Sequence, residues 1–145
     1  MKSATTIDTV KIPHGTPAWF DMVGTFMMDA AAQAKLTPDV NISLVEHYID
    51  GAKLDKGLIQ GLRFEIIGGR PSFRPGARDG EQGDITIKVS LAASHTLNTL
   101  YGDDPRFLAA FASLLADGEF ELVGDLARLG PWFSNVHDKI VDRTL

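Results

Sequence analysis

Residues 84–125 read DITIKVSLAASHTLNTLYGDDPRFLAAFASLLADGEFELVGD, and the changes of period along this stretch decide the fold class. Ile85, Ile87, Val89 and Leu91 alternate with Thr86, Lys88 and Ser90, the period-two pattern of a strand with one buried face. Ser94 is then placed to cap a short helix that ends at Gly102. Asp104-Pro105 repeats a capping residue followed by proline, which suits the first helical position because its missing N–H has no partner there. A second helix is expected from Pro105 to Ala116, closed by Gly118. GEFELVG (118–124) returns to period two, with Phe120 and Leu122 opposite Glu119 and Glu121.

Working outward, Thr16-Pro17 gives the same cap-then-proline start, and a helix is expected from there to about Leu36, before Thr37-Pro38. Trp19, Met22, Val23, Phe26, Met27, Ala30 and Ala34 recur at spacings of three and four as one apolar stripe, while Asp21, Asp29 and Gln33 fall outside it. Val40, Ile42 and Leu44 alternate with polar neighbours in a segment continuing toward Tyr48 and Ile49. Leu62, Phe64 and Ile66 do the same after the turn-rich DGAKLDKG (50–57). GGRPSFRPGARDGEQG (68–83) predicts a short edge strand near Ser72-Phe73 and then an exposed loop, because proline blocks a central ladder position. After residue 125 the chain turns helical again, with a break at Gly130-Pro131. Runs of one element type indicate an α+β domain: an antiparallel sheet of about four to five strands with helices packed on one face. Residues 1–15 are expected to form a partly ordered lead-in and residues 16–145 a single domain.

Composition narrows the function. The chain has 145 residues, a net charge of −5 and no cysteine, which excludes disulfides, Cys-ligated metals and thiol chemistry. An acidic balance argues against nucleic acid and against an anionic membrane surface. No apolar run reaches the roughly 20 residues that span a bilayer, and the N-terminus lacks the apolar core of a signal peptide. A cytoplasmic protein without stable membrane insertion is expected.

Motifs for chemistry are missing. His14, His47, His95 and His137 are spaced too far apart to share a turn of helix, so no metal is expected. Ser94-His95 are adjacent rather than facing, and no GxSxG elbow is present. The glycines at 68–69 lack the lysine of a phosphate loop, and Arg70, Arg74 and Arg78 read as a solvated hairpin tip before an anion clamp. No catalytic residue and no cofactor is assigned. An enzyme acting on an apolar substrate remains the alternative, with an Asp, Glu or His such as His47 or Glu65 at a cavity mouth.

The distinctive feature is apolar excess on helices. RFLAAFASLLA (106–116) is apolar around nearly its whole circumference, and the first helix adds Met22, Met27 and Met28. Two readings stay open on the residues alone: a filled core, or the wall of a lipid-like pocket. A homodimer face on the 106–116 helix is a third.

Residues 84–125 resemble the sterol carrier protein 2 (SCP2-like) family, through the strand Ile85–Leu91, the short helix 94–102, Asp104-Pro105, the strand 118–123 and the closing Gly124-Asp125. The resemblance implies an apolar tunnel between a sheet and its helices that carries fatty acyl, sterol or isoprenoid-like ligands without a catalytic residue. On that reading the ligand contacts Trp19, Met22, Phe26 and Met27 of the first helix, Leu108, Phe111 and Leu115 of the apolar one, and Trp132 and Phe133 near the C-terminus. Phe64, Ile66, Ile87 and Val89 form the floor. Ten buried methylenes would contribute on the order of 8 kcal/mol before association costs.

Overall fold

A computed structural model describes residues 10–145. Of the lead-in expected at residues 1–15, residues 1–9 lie outside the described residues. The remainder is tied to the far end of the chain: Ile12 bridges Thr144, and its amide donates to the Arg143 carbonyl at 2.7 Å.

The first helix, α1, spans Pro17–Gln33, with the Thr16 side chain accepting from the Trp19 amide as its cap. It stops short of the expected Leu36 because Lys35 takes up a left-handed backbone (φ +53°) ahead of Thr37-Pro38. Trp19, Phe20, Met22, Val23, Met27 and Ala31 are buried, whereas Asp21, Thr25 and Asp29 mark the exposed face. Strands β1 (Ile42–Tyr48), β2 (Ile59–Ile67) and β3 (Arg70–Ala77) follow, the last two joined by a tight turn. Gly68 and Gly69 both have positive φ there, the backbone that a two-residue hairpin requires. Next come β4 (Ile85–Val89), α2 (Leu91–Asn98), α3 (Pro105–Ala116) and β5 (Phe120–Val123). Two 3₁₀ turns flank Gly130, at Leu126–Leu129 and Pro131–Asn135, and α4 (His137–Asp142) ends the chain.

Five strands form one sheet in the order β3-β2-β1-β4-β5. β3 is an edge strand, as Pro71 and Pro75 demand, although it is longer than the short strand expected around Ser72-Phe73. The sheet is mixed rather than wholly antiparallel: β1 and β4 run parallel, because the β2–β3 hairpin leaves on one side of β1 and the chain returns on the other. A second adjustment concerns α2. Its cap is Ser90, whose side chain accepts from the Ala93 amide, so Ser94 lies inside the helix and its hydroxyl is free for other bonds.

Alternation gives the sheet two unlike faces. Ile42, Leu44 and Tyr48 of β1, Leu62, Phe64 and Ile66 of β2, and Ile85, Ile87 and Val89 of β4 are all buried on the apolar side. The helices gather on that side, and Trp19 Nε1 donates to Thr144 Oγ1 at 2.9 Å, fastening α1 to the C-terminus. The 106–116 helix departs from expectation. No residue of α3 is buried; it leans on β5 through Phe111, 4.9 Å from the Phe120 ring, while Leu108 and Leu115 stand 73% and 44% exposed.

α1 crosses β3 at Gly24, where a Cβ would fall 2.2 Å from Phe73 Cδ2. Glycine in a helix interior ordinarily costs about 1 kcal/mol against alanine. Here that gain is outweighed, since a methyl group would have to displace an aromatic ring. Gly24→Ala is expected to lower unfolding free energy by about 1–3 kcal/mol in urea titrations. A stabilised variant would show that the helix can shift off the sheet freely.

Candidate functional site

Between α1, the middle of the sheet and the C-terminal segment lies a cavity of about 150 Å³. α1 contributes Trp19, Val23 and Met27, one turn apart on its buried face. The sheet contributes Leu44 and a cross-strand row, Leu62, Glu46 and Ile87, in which Glu46 on the central strand pairs with the other two. Asn98 of α2 and Phe133, Val136, His137 and Ile140 complete the wall. The expected tunnel is thus a compact chamber. A cavity of about 150 Å³ with aliphatic and aromatic walls accommodates a benzene-sized molecule. Phe133 also lines an open apolar depression of about 410 Å³ formed by Leu126, Ala127, Gly130, Pro131 and Ser134. This one ring borders both spaces.

Glu46 is the exception in the apolar row. Strand alternation points it to the same side as Ile42, Leu44 and Tyr48, and the surface it keeps opens onto the cavity. It forms none of the ion pairs among the described residues. Burial, with no compensating partner, pushes its carboxyl from the ordinary 4.5 up to about 7. Burial also raises the Tyr48 phenol well above its usual value, the neighbouring Glu46 charge adding to the effect.

The thirteen residues assigned to the ligand on resemblance separate by position. Trp19, Met27, Ile87 and Phe133 meet around the cavity. Met22, Phe64, Ile66, Val89 and Trp132 are buried in the surrounding core, and Phe26 and Phe111 pack part-buried against it. Leu108 and Leu115 lie on the outer surface of α3. Sequence reading passed over Glu46, Asn98 and His137. For Glu46 the signal was present, as it shares the parity of Leu44 and Tyr48; the other two become neighbours of the cavity only through tertiary packing.

The remaining polar groups are engaged elsewhere. Adjacent strand positions place His47 opposite to Glu46, on the outer face, where it lines a polar depression with Asp79, Glu81 and Lys88. Glu65 pairs with Arg63 at 2.9 Å on that face, so neither His47 nor Glu65 reaches the apolar cavity. Arg63 and Arg74 both pair with Glu81, which organises the 78–83 loop from within the molecule. Burial favours the neutral acid at Glu81, but the Arg78 amide and the two guanidinium groups together hold it below the usual carboxylate range. Among the described residues no cluster of three or more His, Asp or Glu is placed to hold a metal.

Ser94 meets a histidine after all, though not His95. Its Oγ lies 3.0 Å from His14 Nε2 and 2.7 Å from the Tyr48 hydroxyl, with Asn98 Nδ2 donating to it at 3.2 Å. Burial, with the charge of His95 second, lowers His14 from 6.5 to about 4. Ser94 is 3% exposed and lines neither the apolar cavity nor the outer depression. These hydrogen bonds tie His14 to β1 and α2.

No family model and no curated protein matches the chain. Among solved structures it is similar to sterol carrier protein 2 (17% identity over 90% of this chain and 99% of that one, TM-score 0.49). It is also similar to a UbiJ-SCP2 ubiquinone synthesis protein (15% identity, 83% and 90% coverage, TM-score 0.44). A third is apo sterol carrier protein 2 from Yarrowia lipolytica (11% identity, 89% and 81% coverage, TM-score 0.36). Among the described residues no helix is long and apolar enough to cross a membrane.

Glu46 binds its proton more tightly in the folded chain than in the unfolded one, so its contribution to stability is lost as pH rises from 4.5 to about 7. His14 works in the opposite sense, losing stability as pH falls from 6.5 toward 4. Glu46→Gln is therefore expected to leave stability at about pH 4 nearly unchanged and to raise it at about pH 8 by on the order of 3 kcal/mol, roughly 6–12 °C in Tm. Thermal unfolding followed by circular dichroism at the two pH values checks the difference.

Proposed function

We propose that the protein binds a hydrophobic small molecule, with its apolar part in the chamber between α1 and the sheet. The observation that carries this reading is the chamber itself. Natural cores are close-packed, and a mainly apolar recess of this size leaves side chains with dispersion contacts that a ligand would supply. The resemblance of residues 84–125 to SCP2-like sequences points to the same ligand class: fatty acyl, sterol or isoprenoid-like molecules. The chamber alone is too short for a long tail. Rotation of Phe133 would join it to the depression beside Gly130-Pro131, giving such a tail a path from the interior to the surface. Met27 suits this use, because an unbranched thioether adapts to different occupants. No proton transfer or bond cleavage is required of any side chain, and the soluble carriage of an apolar molecule is the role proposed.

A second reading concerns α3. Leu108 and Leu115 leave an apolar strip on its outer face, which favours association of two copies through this helix. Sedimentation at low micromolar concentration reads it directly: a monomer that Leu108→Glu leaves unaltered would remove it.

Native mass spectrometry of freshly purified protein is expected to show a co-purified apolar adduct, or an uncharged fluorescent lipid analogue to bind at micromolar concentration. Met27→Trp, which places a large ring in the chamber, is expected to weaken that binding at least about tenfold while Tm moves by only a few degrees. Binding that is indifferent to this substitution would place the ligand elsewhere.

A further inference from the structure

We propose that Glu46 is a specificity determinant of the chamber, selecting apolar molecules that carry an amine and turning away those that carry a carboxylate. The inference rests on the chamber being a ligand site, and it deepens that reading by naming the head group.

Three observations lead to it. Glu46 sits at the centre of the central strand, flanked across the sheet by Leu62 and Ile87, with all three side chains on the chamber. Among the described residues no Lys or Arg lines that chamber. The groups that face Glu46 are otherwise apolar on α1 (Trp19, Val23, Met27), neutral at Asn98 of α2, phenolic at Tyr48 of its own strand, and imidazole at His137 of α4. His137 Nε2 already donates to the Leu100 carbonyl at 2.8 Å.

A carboxyl in such surroundings is already partly desolvated before any ligand arrives. An incoming ammonium therefore adds only its own desolvation and gains a nearby opposite charge in a medium of low dielectric. A fatty carboxylate would bring a second negative charge to the same wall, and one of the two would have to take up a proton. Burial has already raised the Glu46 carboxyl to about 7, so the discrimination is strongest above neutrality and relaxes below it.

Octylamine and octanoate share a tail and differ in head charge, which makes them suitable probes by isothermal titration calorimetry. At about pH 8.5 the amine is expected to bind at least about tenfold more tightly than the carboxylate. Glu46→Gln is expected to shrink that ratio by at least about tenfold, and Glu65→Gln, on the opposite face of the sheet, to leave it within about threefold. Octanoate should tighten more steeply as pH falls to about 5.5 in the unaltered protein than in Glu46→Gln, where only the ligand's own carboxyl takes up the proton. A ratio unchanged by Glu46→Gln, or a pH trend equally steep in it, overturns the role of Glu46 and leaves the chamber as a ligand site. Failure of both probes to bind overturns the ligand site itself. If the glutamine variant does not fold, the carbon NMR titration of Glu46 decides: saturation with octylamine must lower its midpoint from near 7 by at least about one pH unit.

Discussion

The packing of α1 across the sheet is the constraint on which the interior depends. Gly24, in the middle of the helix, lets its backbone approach β3 closely enough to meet the Phe73 ring, and the buried Trp19–Thr144 hydrogen bond holds the N-terminal turns of the helix against the C-terminus. Trp19, Val23 and Met27 then face Leu44, Leu62 and Ile87 without filling the space between them. The chamber is in this sense a consequence of where the helix is pinned. Filling it would require larger residues on a strand or on α1, and β1 instead offers a glutamate.

Most of the elements were legible because each has a local cause. Thr16-Pro17 and Asp104-Pro105 start helices that are observed to begin at Pro17 and Pro105, and Gly130-Pro131 interrupts the last helical stretch as expected. Strand pairing is not local. The alternation of Ile85, Ile87 and Val89 says that a strand exists and which face is buried, but it is silent on which neighbour it chooses; β4 pairs in parallel with β1, some forty residues earlier in the chain. The same limit explains α3. Its composition states that Leu108 and Leu115 are apolar, and composition carries no information about whether another element comes to cover them.

The site was legible only in part, for a related reason. Trp19, Met27 and Ile87 could be placed on inward faces from period alone. Phe64 and Ile66 share that property, yet they are wholly buried in the core, Phe64 beside the Trp132 ring, and inward direction does not separate a chamber wall from solid core. Glu46 was the informative residue. A strand with Ile42, Leu44 and Tyr48 on one side has a carboxylate on that same side, and a charge on the apolar parity of a central strand is difficult to explain by folding alone.

That difficulty bears on function. A part-buried carboxylate without a compensating charge lowers the stability of the protein at neutral pH, and glutamine at the same position would avoid most of the loss at nearly equal volume. Among the described residues Glu46 makes no ion pair, in contrast to Glu81, whose carboxylate draws two arginines and a loop together. Local departures of this kind are stabilised by what binds to them as well as by what surrounds them. A cationic head group in the chamber would return Glu46 to its ionised form and release the proton it holds near neutrality. Occupancy, protonation and the stability of the central strand would then change together, through one residue at the middle of the sheet.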